Sequence, residues 1–185
     1  MALHLNVLAE ATVAVAGESP VDPMAFRWHP EVWLLVISLT IAYVYMVRVI
    51  GPNAVPKGQS PVSRFNVISF VGAMIMLWFA SGWPIHDIGE EYLYSAHMLQ
   101  HMMLSYFLPP LVLMATPEWL LRVLIGNGRF YRVVAFMCRP VFAAIAFNVV
   151  IVVTHIPGIV NASVDNGPLH YSLHFAVVMF SLLMW

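Results

Sequence analysis

His97 and His101 stand four residues apart in LYSAHMLQHMMLSYFLPPLVLMA, a run whose other side chains are mostly fit for lipid. An imidazole at bilayer depth is expensive, so two on one stretch call for a shared partner. At i and i+4 of a helix the rings project from the same side, close enough to hold one metal ion or one buried polar group. Neutral imidazole suits copper, zinc, iron or nickel. Met98 and Met102 flank the pair, and thioether sulfur selects Cu(I) over harder ions. No carboxylate lies within the apolar stretches beside these histidines, which disfavours calcium, magnesium or a di-iron carboxylate centre. The chemistry expected is therefore a copper site built on His97 and His101 and completed by His155, in the string THIPG, and by His174.

The elements that must position these residues are membrane spans. Of the 185 residues 61% are hydrophobic and 9% charged, with a mean hydropathy of +0.83, far too apolar for a soluble domain of this size. Five stretches approach the roughly 20 apolar residues a helix needs to cross a bilayer: Val32–Ile50, Phe65–Ile85, Leu93–Ala115, Val141–Ile156 and Leu169–Trp185. The expected fold is an all-α, polytopic transmembrane bundle over residues 32–185, preceded by an N-terminal outer-side segment, residues 1–31. The stretch Leu3–Gly17 has no basic lead and is interrupted by Glu10, so it does not read as a cleaved signal peptide. The fifth stretch ends at Trp185 without a polar or basic flank, and we expect the natural chain to continue.

Charge orients the bundle. With the N-terminus outside, Arg48, Lys57, Arg64, Arg122, Arg129, Arg132 and Arg139 fall on the cytoplasmic side, leaving Arg27 as the one basic residue of eight outside. Eight of the nine acidic residues then lie outside, Glu118 being the exception. All eight histidines map to the outer side, although histidine played no part in the orientation. The helical rise puts His97 about 6 Å and His101 about 12 Å below Leu93. His170 pairs with His174 at the same i, i+4 spacing. His86 is expected near the water interface, His4 and His29 in water, and Asp87 as a solvated loop charge.

Several local signals shape the rest. Gly51-Pro52 is expected to stop the first span, and Pro109-Pro110 to kink the third and free backbone carbonyls for a neighbour. Thr116-Pro117-Glu118 reads as a helix cap, a first-turn proline and an acidic first turn, opening a short amphipathic helix through Leu124. Tyr94 shares nearly the same face as His97 and is placed to donate a hydrogen bond to it. Cys138 is the lone cysteine, so neither a disulfide nor a paired-thiol copper site is available. The net charge of −1 gives no electrostatic case for nucleic acid.

The string SAHMLQHMMLSYFLPPLVLMATPEW, preceded by IHDIGEEYLY and followed by a basic loop and THIPG, resembles the CtaG family of bacterial membrane cytochrome c oxidase assembly factors. The likeness runs from Phe26 to the end of the chain. It implies a multi-pass protein of the bacterial cell membrane that serves haem-copper oxidase assembly, helps copper reach the enzyme and meets oxidase subunits or assembly intermediates. The family's motif histidines fall on His97 and His101, its histidine before proline on His155, and His174 corresponds less closely. Members are usually longer, with further spans after the fifth.

Two classes of function compete. A non-enzymatic carrier would hold Cu(I) with few soft ligands and release it by ligand exchange; no nucleophile constellation, phosphate loop or catalytic carboxylate pair points to an enzyme. A haem protein, either an electron carrier or a haem-modifying enzyme, would use the same histidines as axial ligands. Two imidazoles one turn apart cannot take opposite faces of one haem, though His101 and His174 could. A translocator would need polar residues continuing inward, where only Ser105, Asn148 and Ser181 are available.

Overall fold

A computed structural model describes residues 26–164 and 166–185. The expectations for Leu3–Gly17 and for His4 lie outside them. Among the described residues the chain is helical without strands. The first span, α1, runs Pro30–Ala54; α2 is Arg64–Ser81, α3 the short Ile85–Glu91, and α4 Tyr94–Ala115. Then come α5 (Glu118–Ile125), α6 (Arg129–Met137), α7 (Pro140–Thr154), α8 (Pro157–Val164) and α9 (Gly167–Met184). Helices α1, α2, α4 and α9 are each long and apolar enough to cross a membrane. The expected fourth span, Val141–Ile156, appears as the 15-residue α7, which reaches the length of a crossing only if α6 is counted with it, and the two are bent by 77° at Cys138-Arg139. Helix α8 lies between the turn at His155 and the start of α9.

Helix α4 is the most enclosed span, with 33% of its apolar window buried against 6, 17 and 11% for α1, α2 and α9. It therefore sits centrally, and the many exposed Leu, Ile, Val and Phe side chains of the other spans suit contact with lipid. Helix α2 reaches α4 through a stripe of small buried residues, Ser69, Ala73 and Ala80. Small side chains let helix backbones approach where no hydrophobic drive separates protein from lipid. Leu104 and Leu108 fill the space opposite, with Met74, Leu77, Met103, Leu111 and Val178 around them. Ala73→Leu is expected to destabilise the bundle by about 1–3 kcal/mol through overpacking, seen as a lower unfolding midpoint in detergent; an unchanged midpoint would mean that α2 and α4 are not in close register.

Both proline sites behave differently from simple breaks. Gly51-Pro52 does not end α1, which continues one turn to Ala54, and Pro109-Pro110 lie within α4. In each case a wider π-helical turn, Met46–Ile50 or Met103–Phe107, comes immediately before, easing the clash of the proline ring with the preceding turn. Pro109 has no N–H to give the carbonyl of Ser105, four residues back. The Ser181 hydroxyl and the Trp185 indole N–H of α9 donate to that carbonyl instead, binding α9 alongside α4. The freed carbonyl is thus used by a neighbour, as the double proline implied.

The far end of the bundle is tied in the same economical way. The α4 C-terminal carbonyls of Met114 and Ala115 accept from Asn66 Nδ2 (2.8 Å) and the Tyr43 hydroxyl (3.0 Å). Ser63 and Asn66 form a reciprocal cap on α2. Thr116 does not cap α5 as expected; its hydroxyl donates back to Val112 O (2.7 Å), so it closes α4, and Pro117 precedes the first turn of α5.

Candidate functional site

Five segments bring their histidines to one end of the bundle: the residues before α1, helix α3, the first half of α4, the turn after α7, and the start of α9. Helix α3 lies directly across the first turn of α4. A Cβ at Gly89 would stand 2.9 Å from His97 N and 3.0 Å from its Cα, so only glycine permits this approach.

Within α4, His97 Nε2 and His101 Nε2 are 3.0 Å apart. The His174 ring stacks on His101 at 4.8 Å between centroids and lies 6.0 Å from His97; His170 is 4.5 Å from His174. His155 is 5.6 Å from His101. Its Nδ1 faces Ile151 O at 2.7 Å and so carries the proton, which leaves Nε2 with a lone pair. A cavity of about 190 Å³ is lined by His97, His101, His170 and His174 together with Tyr94 and Ser163. His97, His101, His155 and His174, singled out in the sequence, are therefore brought together. Met98 and Met102 are not among the cavity's lining residues, and Met102 is half exposed. Tyr94 stacks on His97 at 6.2 Å and remains largely exposed.

The expectations for the peripheral groups change. His86 and Asp87 are buried, each 6% exposed, rather than solvated. Asp87 accepts from His29 Nε2 at 3.0 Å, while His29 Nδ1 lies 3.1 Å from Glu31 Oε1 and the Tyr171 hydroxyl donates to the same oxygen. Gln100, passed over in the sequence, is 2% exposed, and its Nε2 donates to His86 Nδ1 at 3.2 Å. Its signal was available: a primary amide beside His101, at a depth where a polar group must find a partner. These residues are buried because α3 folds down onto α4 and covers them.

The profile of the cytochrome c oxidase caa3 assembly factor family (Caa3_CtaG) matches residues 41–185. The chain belongs to this family. In this Caa3_CtaG chain the match covers His86, His97, His101, His155, His170 and His174, while His29 and Glu31 lie before it. Family membership makes the protein a cytochrome c oxidase assembly factor, one that meets the oxidase or its intermediates. No curated protein and no solved structure gives a significant match.

Do the residues of this Caa3_CtaG site fit a metal ion? Among the described residues, no three or more His, Cys, Asp or Glu side chains form a group that could hold one as they stand. A pair is nevertheless in position. With metal–imidazole bonds of about 2.0 Å, two corners of a tetrahedron are about 3.3 Å apart, close to the 3.0 Å observed. His101 Nδ1 is buried with no hydrogen-bond partner, so the ring's present hydrogen bonding does not account for both nitrogens. The imidazole next to the pair is His174, its ring centroid 4.8 Å from that of His101 and 6.0 Å from that of His97. Haem fits worse: the roughly 190 Å³ cavity is below the range of about 300–1,000 Å³ usual for small-molecule sites, and stacked rings 4.8 Å apart leave no slot for a porphyrin plate. A larger hollow of about 410 Å³ along Ala144, Asn148 and Val152 contains no titratable group and is not the site.

Proposed function

We propose that this assembly factor binds Cu(I) through His97 and His101, with His174 turning in and His155 at the rim, and passes it to an oxidase subunit on the outer side of the membrane. The single observation that supports the reading most is the convergence of four imidazoles from three segments, two of them with nitrogens 3.0 Å apart. The charge preference is physical. Imidazole binds a metal as an uncharged ligand, and taking a monovalent ion out of water costs less than taking a divalent one. Charge asymmetry between the two ends of the spans supports the outer placement, because Arg122 of α5, which packs on the end of α1, and Arg129 and Arg132 of α6 lie away from the histidines. Among the described residues no carboxylate lines the cavity, and the role proposed is non-enzymatic: the residues hold and release the ion by ligand exchange.

Metal analysis of the purified full chain after Cu(I) loading tests this. The unsubstituted protein should retain about one copper per chain, and the His97→Ala/His101→Ala double variant less than about a tenth of that. Equal copper in both would exclude the site. A Soret band in the purified protein would instead favour haem.

A further inference from the structure

The proposed holding cluster leaves several costly groups unused. His86, Asp87 and Gln100 are buried polar side chains at lipid depth or at its edge, where each needs a reason. His86 also stands between the mouth and the cluster in a succession of neighbouring rings. Ring centroids step from His29 to His86 in 5.3 Å, from His86 to His170 in 5.9 Å, from His170 to His174 in 4.5 Å and from His174 to His101 in 4.8 Å. An ion about 2.0 Å from one ring's nitrogen comes within bonding reach of the next after modest ring rotation. The far end opens to water at Glu31, whose side chain is 45% exposed, and Asp87 sits just behind it against His29.

Gln100 supplies a second, independent observation. Its Oε1 is buried and without a partner, while its Nε2 donates to His86 Nδ1. A primary amide can turn over. With N–H towards Nδ1, Gln100 satisfies that lone pair; with the carbonyl turned in, it accepts a proton held on Nδ1 and leaves the lone pair on Nε2 for a ligand. Gln100 can thus support His86 in both tautomers.

We propose that His29, His86 and His170 form a transfer line along which copper moves between the exposed mouth at Glu31 and Asp87 and the His97/His101/His174 cluster. At each step an imidazole nitrogen free of its proton forms its bond to Cu(I) before the outgoing one breaks; at His29 that proton passes to the hydrogen-bonded carboxylate of Asp87 or Glu31 and returns when the ion moves on, while the ion keeps its charge and no electron is transferred. The inference rests on the copper-carrying role proposed above and adds the path. It also divides labour: His97, His101 and His174 set the affinity, whereas His86 and His29 set the rates. The cavity beside Tyr94 and Ser163 offers the competing route, straight from the cluster to the protein's surface.

The test follows the time course of Cu(I) extraction from the loaded full chain by a high-affinity Cu(I) chelator, together with an equilibrium competition titration. His86→Ala, and separately His29→Ala at the mouth in case the buried substitution fails to fold, should leave equilibrium affinity within about threefold and slow extraction and loading at least tenfold. Unchanged rates in a variant that binds copper normally would overturn the transfer line and assign the cavity as the route. An affinity loss as large as the rate change would also overturn it, by making His86 part of the holding cluster. Copper absent from the unsubstituted protein would overturn the carrier role and the path together, an outcome distinct from both.

Discussion

His101→Ala is expected to weaken Cu(I) binding more than about 100-fold in a competition titration with a Cu(I) chelator, because even the outer partners of a metal ligand are typically worth 10–100-fold and His101 is a ligand itself. Among the imidazoles it is the one in contact with His97, His155 and His174 at once. Losing it removes half of the 3.0 Å nitrogen pair and strands His97 beside an empty space. His155→Ala provides the contrast. That ring is exposed, its Nδ1 is committed to Ile151 O, and it stands at the rim, so its loss should weaken binding less than about tenfold. The opposite order, with His155 dominant, would move the seat of the ion to the turn after α7.

The second large effect is expected at a residue without a side chain. Gly89→Ala places a methyl group against the N and Cα of His97, backbone atoms that cannot rotate aside. Helix α3 must lift, and the displacement reaches the His97 ring and the His86 to Gln100 hydrogen bond together. Overpacking of this kind costs about 1–3 kcal/mol, or roughly 5–150-fold if it falls entirely on the bound state. The check is the same titration combined with circular dichroism: Cu(I) affinity should fall about tenfold or more while helix content stays unchanged. An unaltered affinity would mean that the seating of α3 is irrelevant to the site.

What the sequence made legible follows its periodicities. His97 and His101 could be placed on one face from spacing alone, and so could His170 and His174, because a helical turn fixes both pairs. The use of the Ser105 carbonyl by another helix could be anticipated from Pro109, since a missing N–H four residues on leaves a definite acceptor unsatisfied. Solvation is not legible in the sequence where it depends on how separate segments fold over one another. IHDIGEE carries the polarity of an exposed loop, yet His86 and Asp87 become buried once Gly89 lets α3 lie flat on α4. No pattern local to residues 85–91 encodes that contact. Pro52 shows the complementary difficulty: proline normally breaks a helix, and its tolerance here depends on the wider turn before it.

That wider turn in α4 has its own consequence. Met103–Phe107 separates a half that carries the imidazoles from a half gripped by α2, and it holds one residue more than a regular turn would use. The width of the turn takes up that residue, so deleting it would restore a regular turn with the two halves still facing as they do now, and would bring back the clash at Pro109 that the wide turn relieves. Scaffold and chemistry in this helix are coupled by angular phase as well as by packing, and the wide turn is a point where the chain can lose a residue without uncoupling them.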